Sequence, residues 1–190
     1  MSLQRCEWIK ENDSKEMIRY HDKEWGVPIH NDRKLFELLI LEGAQAGLSW
    51  STIIKKRDGY KSVFYNFDFN KVSKMNSKDI SKLLENKKII RNKLKINAAI
   101  NNAKRFIEIR KEFGTFNNYI WGFVNYKPII NKFKNIKEIP TETKLSIKIS
   151  RDLKERGFSF VGSKIIYAYM QAIGIVNDHT TDCFRYKQLK

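Results

Sequence analysis

The chain has 190 residues, 42% of them hydrophobic and 13% aromatic, which supports a packed core and sets it apart from disordered compositions. Thirty-seven basic residues against 21 acidic ones give a formal charge of +16, the sign that attracts nucleic acid first and an anionic membrane second. No apolar run approaches the ~20 residues of a membrane span and the start has no signal-peptide core, so a cytoplasmic protein without membrane association is expected.

The periodicity is helical almost throughout. Asp13 or Ser14 can cap a helix running to about Trp25, with Met17, Ile18 and His21 on one face. Asp32 is placed to cap a second, striped by Leu35, Phe36, Leu39, Gly43 and Ala46, and Ser49 a third through Trp50, Ile53, Ile54 and Arg57. Shorter helices are expected over Asn70 to Met75 and Ser77 to Glu85. A long one is expected from Asn92 to Phe113, ended by Gly114. Further helices fit Phe116 to Val124, Thr143 to Arg156 and Ser163 to Ile173. Lys127 to Pro140, with two of the three prolines, reads as an extended connection. Nothing alternates with period two for long, so no sheet is expected. The fold class is all-α, one domain over residues 1–190, with a ligand cleft between helical lobes.

Three groups of residues could carry chemistry. Cys6, His21, His179 and Cys183 form a Cys2His2 set drawn from both ends of the chain. His179 and Cys183 would share a face if helical, and four protein ligands would make a closed structural zinc site. Chance placement of two cysteines and two histidines near the termini is the competing explanation. The second group is Gly157-Phe158-Ser159-Phe160-Val161-Gly162-Ser163-Lys164, a hairpin between helices whose second glycine would leave backbone N–H groups free for a DNA phosphate, with Lys164 and Arg156 adding charge. An ordinary helix–helix turn would look much the same. The third is Glu42, a carboxylate in the apolar run from Leu38 to Leu48, with Trp50 beyond a Gly-Leu-Ser turn and Tyr20 and Trp25 flanking His21. A carboxylate among π faces suits a flat cationic heterocycle. Plain core packing for the aromatics and an exposed edge position for Glu42 are the alternatives.

At these residues the sequence resembles the bacterial 3-methyladenine DNA glycosylase I proteins, a divergent branch of the helix-hairpin-helix glycosylases. The resemblance spans nearly the whole chain. It rests on Arg5-Cys6-x-Trp8, Tyr20-His21-Asp22-x-Glu24-Trp25-Gly26-Val27-Pro28 and Leu41-Glu42-Gly43-x-Gln45-Ala46-Gly47-Leu48-Ser49-Trp50. It continues through Trp121-x-Phe123-Val124-Asn125, Arg156-Gly157-Phe158-x-Phe160-Val161-Gly162, Met170-Gln171-Ala172 and Gly174-x-Val176-Asn177-Asp178-His179 with Cys183. The resemblance implies one structural zinc on Cys6, His21, His179 and Cys183. It implies Glu42 as the catalytic group contacting the base, with Tyr20, Trp25 and Trp50 around it. It also implies backbone contacts to double-stranded DNA from Gly157, Phe160, Gly162, Ser163 and Lys164. The activity implied is hydrolysis of the N-glycosidic bond of flipped-out 3-methyladenine by a monomer, leaving an abasic site without a lyase step. Most of the superfamily carries a catalytic Asp where this chain has Asn177. Asp178 beside it is expected to brace His179 rather than to act as an acid. A non-catalytic helix-hairpin-helix nucleic-acid binder and a catalytic zinc hydrolase are the competing classes. Glu42 and the closed ligand set, respectively, discriminate against them.

Overall fold

The computed structural model describes residues 3–190, and their architecture is helical. The helices are α1 (Lys15–Lys23), α2 (Asp32–Gln45), α3 (Trp50–Val63), α4 (Phe69–Val72), α5 (Ser77–Glu85), α6 (Lys93–Phe113), α7 (Phe116–Gly122), α8 (Lys144–Glu155), α9 (Ser163–Ala172) and α10 (Phe184–Gln188). Side-chain caps set most of the starts: Ser14, Asn31, Ser49, Asn92 and Thr143 each accept a backbone N–H from the first turn that follows. Asn31 rather than Asp32 caps α2. Asp32, released from that role, accepts the first two N–H groups of α7 at 3.2 and 3.0 Å and Arg110 Nε at 2.6 Å, tying α7 and the end of α6 to the start of α2.

Helix α2 is the spine of the molecule. Leu35, Phe36, Leu38, Leu39, Ile40 and Leu41 are all buried, because α3, α6, α7 and α9 pack around it. A second, smaller apolar cluster gathers Cys6, Met17, Tyr20, Trp25, Ile54 and Cys183 near the two chain ends, and Trp50 packs against both clusters. Arg57 on α3 clamps this junction, with a two-pronged bond to Glu24 (3.0 and 2.7 Å) and one to Glu37 (2.7 Å).

The sequence misses several short features. Ile129–Ile130 (β1) and Val176–Asn177 (β2) pair in parallel, Ile129 opposite Val176, so a minimal two-stranded sheet does exist. Two residues are too few to show alternation. The connection from Lys127 to Pro140 is extended as expected but contains β1 and a single 3₁₀ turn at Ile136–Glu138. Helix α10 is too short to carry a periodic stripe.

Candidate functional site: a base-sized cavity beside a cysteine–histidine cluster

A cavity of about 420 Å³ opens where the two apolar clusters meet. Glu42 and Gln45 of α2, Trp50 of α3, Tyr20 and Trp25 from α1 and its exit, and Ala168 and Gln171 of α9 line it. Trp8 and the segment Ile136 to Thr141 complete the wall. The structure therefore brings Tyr20, Trp25, Glu42 and Trp50 together as expected. The sequence singled out neither Gln171, nor the 136–141 segment, nor Trp8 as a wall residue, although Trp8 and Gln171 stand inside matched motifs. Tryptophan and glutamine alone do not reveal whether they face a core or a cavity.

Three polar groups of the cavity-lining residues are unmatched. Glu42 is 3% exposed, and its Oε2 has no hydrogen-bond partner. Burial pushes its carboxyl up to about 8. Trp8 Nε1 and Trp50 Nε1 are also buried without partners. Buried polar atoms of folded proteins are normally paired, so three orphans on residues that line one cavity single out this place in the molecule. Tyr20 leans on Trp50 with centroids 5.2 Å apart, and burial together with Glu42 keeps its hydroxyl protonated. The cavity thus offers flat aromatic walls, one carboxyl acceptor and N–H and O–H donors, a set suited to a planar nitrogen heterocycle.

Cys6, His21, His179 and Cys183 converge beside this cavity, all buried, with their donor atoms within 4.8 Å of one another. His179 and Cys183 do not share a helix face. His179 lies in an irregular segment and Cys183 precedes α10, the two joined by a turn closed by Cys183 N–H on Thr180 O at 2.8 Å. The sulfur–nitrogen separations are 3.4 Å for Cys6–His179, 3.4 Å for Cys183–His179 and 3.6 Å for Cys183–His21. Zinc bonds of about 2.3 Å to sulfur and about 2.0 Å to nitrogen put neighbouring tetrahedral donors roughly 3.5 Å apart, so the set has the spacing of a metal centre. The hydrogen bond between the thiols holds Cys6 protonated and drives Cys183 down, with both imidazoles helping. A divalent cation would let both ionise.

The supports of the two imidazoles differ. His21 points Nε2 at Cys183 and donates Nδ1–H to Asp22 at 2.7 Å, and Arg5 holds that carboxylate by two prongs. His179 turns Nδ1 to both sulfurs and donates Nε2–H to the Trp25 carbonyl at 3.0 Å. Asp178 does not brace His179, contrary to expectation. It accepts bonds from Tyr167, Gln171 and Asn131 instead. Asn177 also turns away from the cavity, its amide directed at the Tyr186 and Leu189 carbonyls.

Helices α8 and α9 pack against each other and are joined by the short turn from Arg156 to Gly162. Gly157 turns the chain at φ +84°, a left-handed conformation that favours glycine. The hairpin is pinned by Asn102, which bonds both Ser159 N–H (2.9 Å) and Ser159 O (2.8 Å). Gly162 caps α9 with no side-chain bond, leaving first-turn amides uncapped. Two side chains of this turn are committed to contacts within the protein. The Phe160 side chain packs against Gly43, where an added Cβ would come within 3.3 Å of it. Arg156 is bound to Glu112 (2.6 Å) and Asp152 (2.8 Å) and stacked over Phe113, so it is not a free cation. Arg151 and Lys154, exposed on α8, line the groove that reaches Ser163, while Lys164 is exposed on α9. Ser163 donates its hydroxyl to Glu142.

Comparison with known proteins fits this geometry. The family model described as methyladenine glycosylase matches residues 8–186. The DNA-3-methyladenine glycosylase of Haemophilus influenzae is 45% identical over 179 residues, 94% of this chain and 96% of that protein. The crystal structure of a 3-methyladenine DNA glycosylase I superposes with a TM-score of 0.92 at 45% identity, covering 95% of this chain and 98% of the other. A structure from Staphylococcus aureus, described as showing how 3-methyladenine DNA glycosylase I recognises 3-methyladenine, gives 0.92 at 32% identity over 97% of both chains. The match of the family model over nearly the full length, with a relative 45% identical over 94% of the chain, places the chain in the methyladenine glycosylase family.

Proposed function

We propose that the protein removes 3-methyladenine from double-stranded DNA by hydrolysing its N-glycosidic bond, as a monofunctional enzyme acting as a single-domain monomer. As a member of its family it is a hydrolase of N-glycosyl bonds. The observation that carries the mechanism is Glu42, a buried and unpartnered carboxyl among aromatic rings.

Methylation at the third ring nitrogen makes adenine a cation and therefore an activated leaving group, so no acid is needed to protonate it. This agrees with Asn177 and Asp178 both lying outside the cavity wall. Glu42 is protonated in the empty cavity, and a cationic base restores its charge by pairing with it. At pH 7, ionising a carboxyl of pKa about 8 costs roughly 1.4 kcal/mol. A methylated purine repays that cost by ion pairing, whereas a neutral adenine cannot. As the bond breaks, positive charge shifts to the sugar, and the ionised Glu42 stabilises it there too. Tyr20, Trp25 and Trp50 enclose the base, and the extruded nucleotide is held there by stacking and cation–π attraction.

Cys6, His21, His179 and Cys183 would hold one zinc ion. When bound it supplies a structural cross-link between the ends of the chain. Four protein donors leave no position for a reacting water, which argues against a catalytic zinc hydrolase. The ligands also set the cavity wall: Trp8 packs edge-on to His21 at 5.1 Å and Trp25 to His179 at 4.6 Å. Gly157, Gly162, Ser163 and Lys164 bind the DNA backbone, with Phe160 seating the hairpin on α2 and Arg151 and Lys154 supplying charge. A simple phosphate binder would gain nothing from a carboxyl buried at such cost. Chromatography of the bases released from alkylated DNA tests the reaction. Released 3-methyladenine supports it, and no release from folded protein that binds DNA contradicts it.

A further inference from the structure

Gln171 is held in the cavity wall through both its backbone and its side chain. Its backbone carbonyl accepts Gly26 N–H at 2.9 Å, joining α9 to the exit of α1 beside Trp25. Its side-chain nitrogen donates to Asp178 Oδ2 at 2.8 Å. A carboxylate only accepts, so the amide nitrogen must face Asp178, and the amide oxygen is left as the free polar end of a side chain that lines the cavity. Asp178 is itself immobilised. Tyr167 donates to the same Oδ2 at 2.6 Å, and Asn131 donates to Oδ1 at 2.6 Å. The β1–β2 pair brings Asn131 and Asp178 together, since Asn131 N–H also bonds Asn177 O at 3.2 Å. Asp178 is 1% exposed and absent from the cavity wall, so whatever it does for the ligand it does through Gln171.

We infer that Gln171 is a second acceptor for the cationic base, and that Asp178, held by Tyr167 and Asn131, is the positioning residue that keeps the Gln171 oxygen turned into the cavity. The inference rests on the glycosylase reading and extends it. An amide oxygen attracts the exocyclic amino group of a methylated adenine and repels the carbonyl oxygen that a guanine presents at the same ring position. Without Asp178 the amide can rotate and present its N–H2 end, which meets a cation unfavourably. The minimal sheet, otherwise without a role in a helical protein, then serves to set one hydrogen-bond polarity in the cavity.

The test compares wild type, Gln171→Met, Asp178→Ala and the double variant. Binding of free 3-methyladenine is read from quenching of the cavity tryptophans, with zinc content and melting temperature as controls. Gln171→Met keeps length and helix preference but lacks the oxygen, and is expected to weaken binding about tenfold with little change in melting. Asp178→Ala is expected to weaken binding several-fold, and the double variant should bind no more weakly than Gln171→Met alone. Where Asp178→Ala does not fold, Tyr167→Phe takes its place in the cycle with a smaller expected loss. Normal binding by Gln171→Met would overturn the inference. So would a loss from Asp178→Ala that persists undiminished in the Gln171→Met background, since Asp178 would then act on the fold and not through Gln171. Wild type that releases no 3-methyladenine from alkylated DNA would overturn the glycosylase reading itself, and this inference with it.

Discussion

Glu42 concentrates the conflict between stability and function in one side chain. Its carboxyl titrates near 4.5 when unfolded and near 8 when folded, so the folded state holds an extra proton between those values. The carboxyl therefore costs stability, and the cost grows as pH rises from about 4.5 to 8. Glu42→Gln is expected to raise stability by up to about 3 kcal/mol at pH 7, where the two states differ by roughly 2.5 pH units of titration. The same substitution should reduce release of 3-methyladenine by a hundredfold or more (about 3 kcal/mol). Thermal melts and single-turnover release measured together check both halves. In the wild type, kcat/KM for a substrate of fixed positive charge should climb about tenfold per pH unit below 8 and level off above it. A flat profile across that range would separate Glu42 from recognition. Trp50, which spans both apolar clusters and leaves its N–H unpaired, should matter differently. Trp50→Ala is expected to lose release at least tenfold with a measurable fall in melting temperature, because it removes packing as well as contact.

Among the elements, the hairpin between α8 and α9 and the turn from α2 into α3 do the positioning. The first is the proposed seat of the DNA backbone, and the second places Glu42 opposite Trp50. Replacing Arg151 and Lys154 by Ala should lower the salt slope of DNA binding by about one unit per cation, while free base binding is unchanged. Arg156→Ala should cost stability instead, since its charge is consumed by Glu112 and Asp152. Most elements are legible in the sequence, because Ser14, Ser49, Asn92 and Thr143 are caps and the stripes that follow have helical spacing. The individual roles of Asp32, Phe160, Arg156 and Asp178 were not. Each depends on a partner far along the chain: Asp32 on α7, Phe160 on Gly43, Arg156 on Glu112, and Asp178 on Asn131. The motifs brought Glu42 and the cysteine–histidine set into view, but only the fold shows that Trp8 and Gln171 share a wall with Glu42.

At the scale of the molecule, the two ends of the chain meet beside the cavity. Cys6 and His21 come from one end, His179 and Cys183 from the other, and their rings and neighbours are packed against Trp8 and Trp25. A cation at this cluster closes a loop of nearly the whole chain and so removes much of the freedom of the unfolded state. Cys183→Ser is expected to lose the metal and at least about 3 kcal/mol of stability, roughly 10 °C in melting temperature for a chain of this size. It should also weaken base binding, since the tryptophan walls lose their support. Unchanged zinc content and melting in that variant would remove the metal from the account.

The positive charge of the whole chain draws the protein to DNA, but the cavity decides what it does there. The most direct measurement is single-turnover release of free bases from DNA treated with a methylating agent, resolved by chromatography. Rapid release of 3-methyladenine is expected, with 7-methylguanine left on the DNA, and loss of that release in Glu42→Gln. Release of both bases at similar rates, or undiminished release by Glu42→Gln, would contradict recognition through a buried carboxyl.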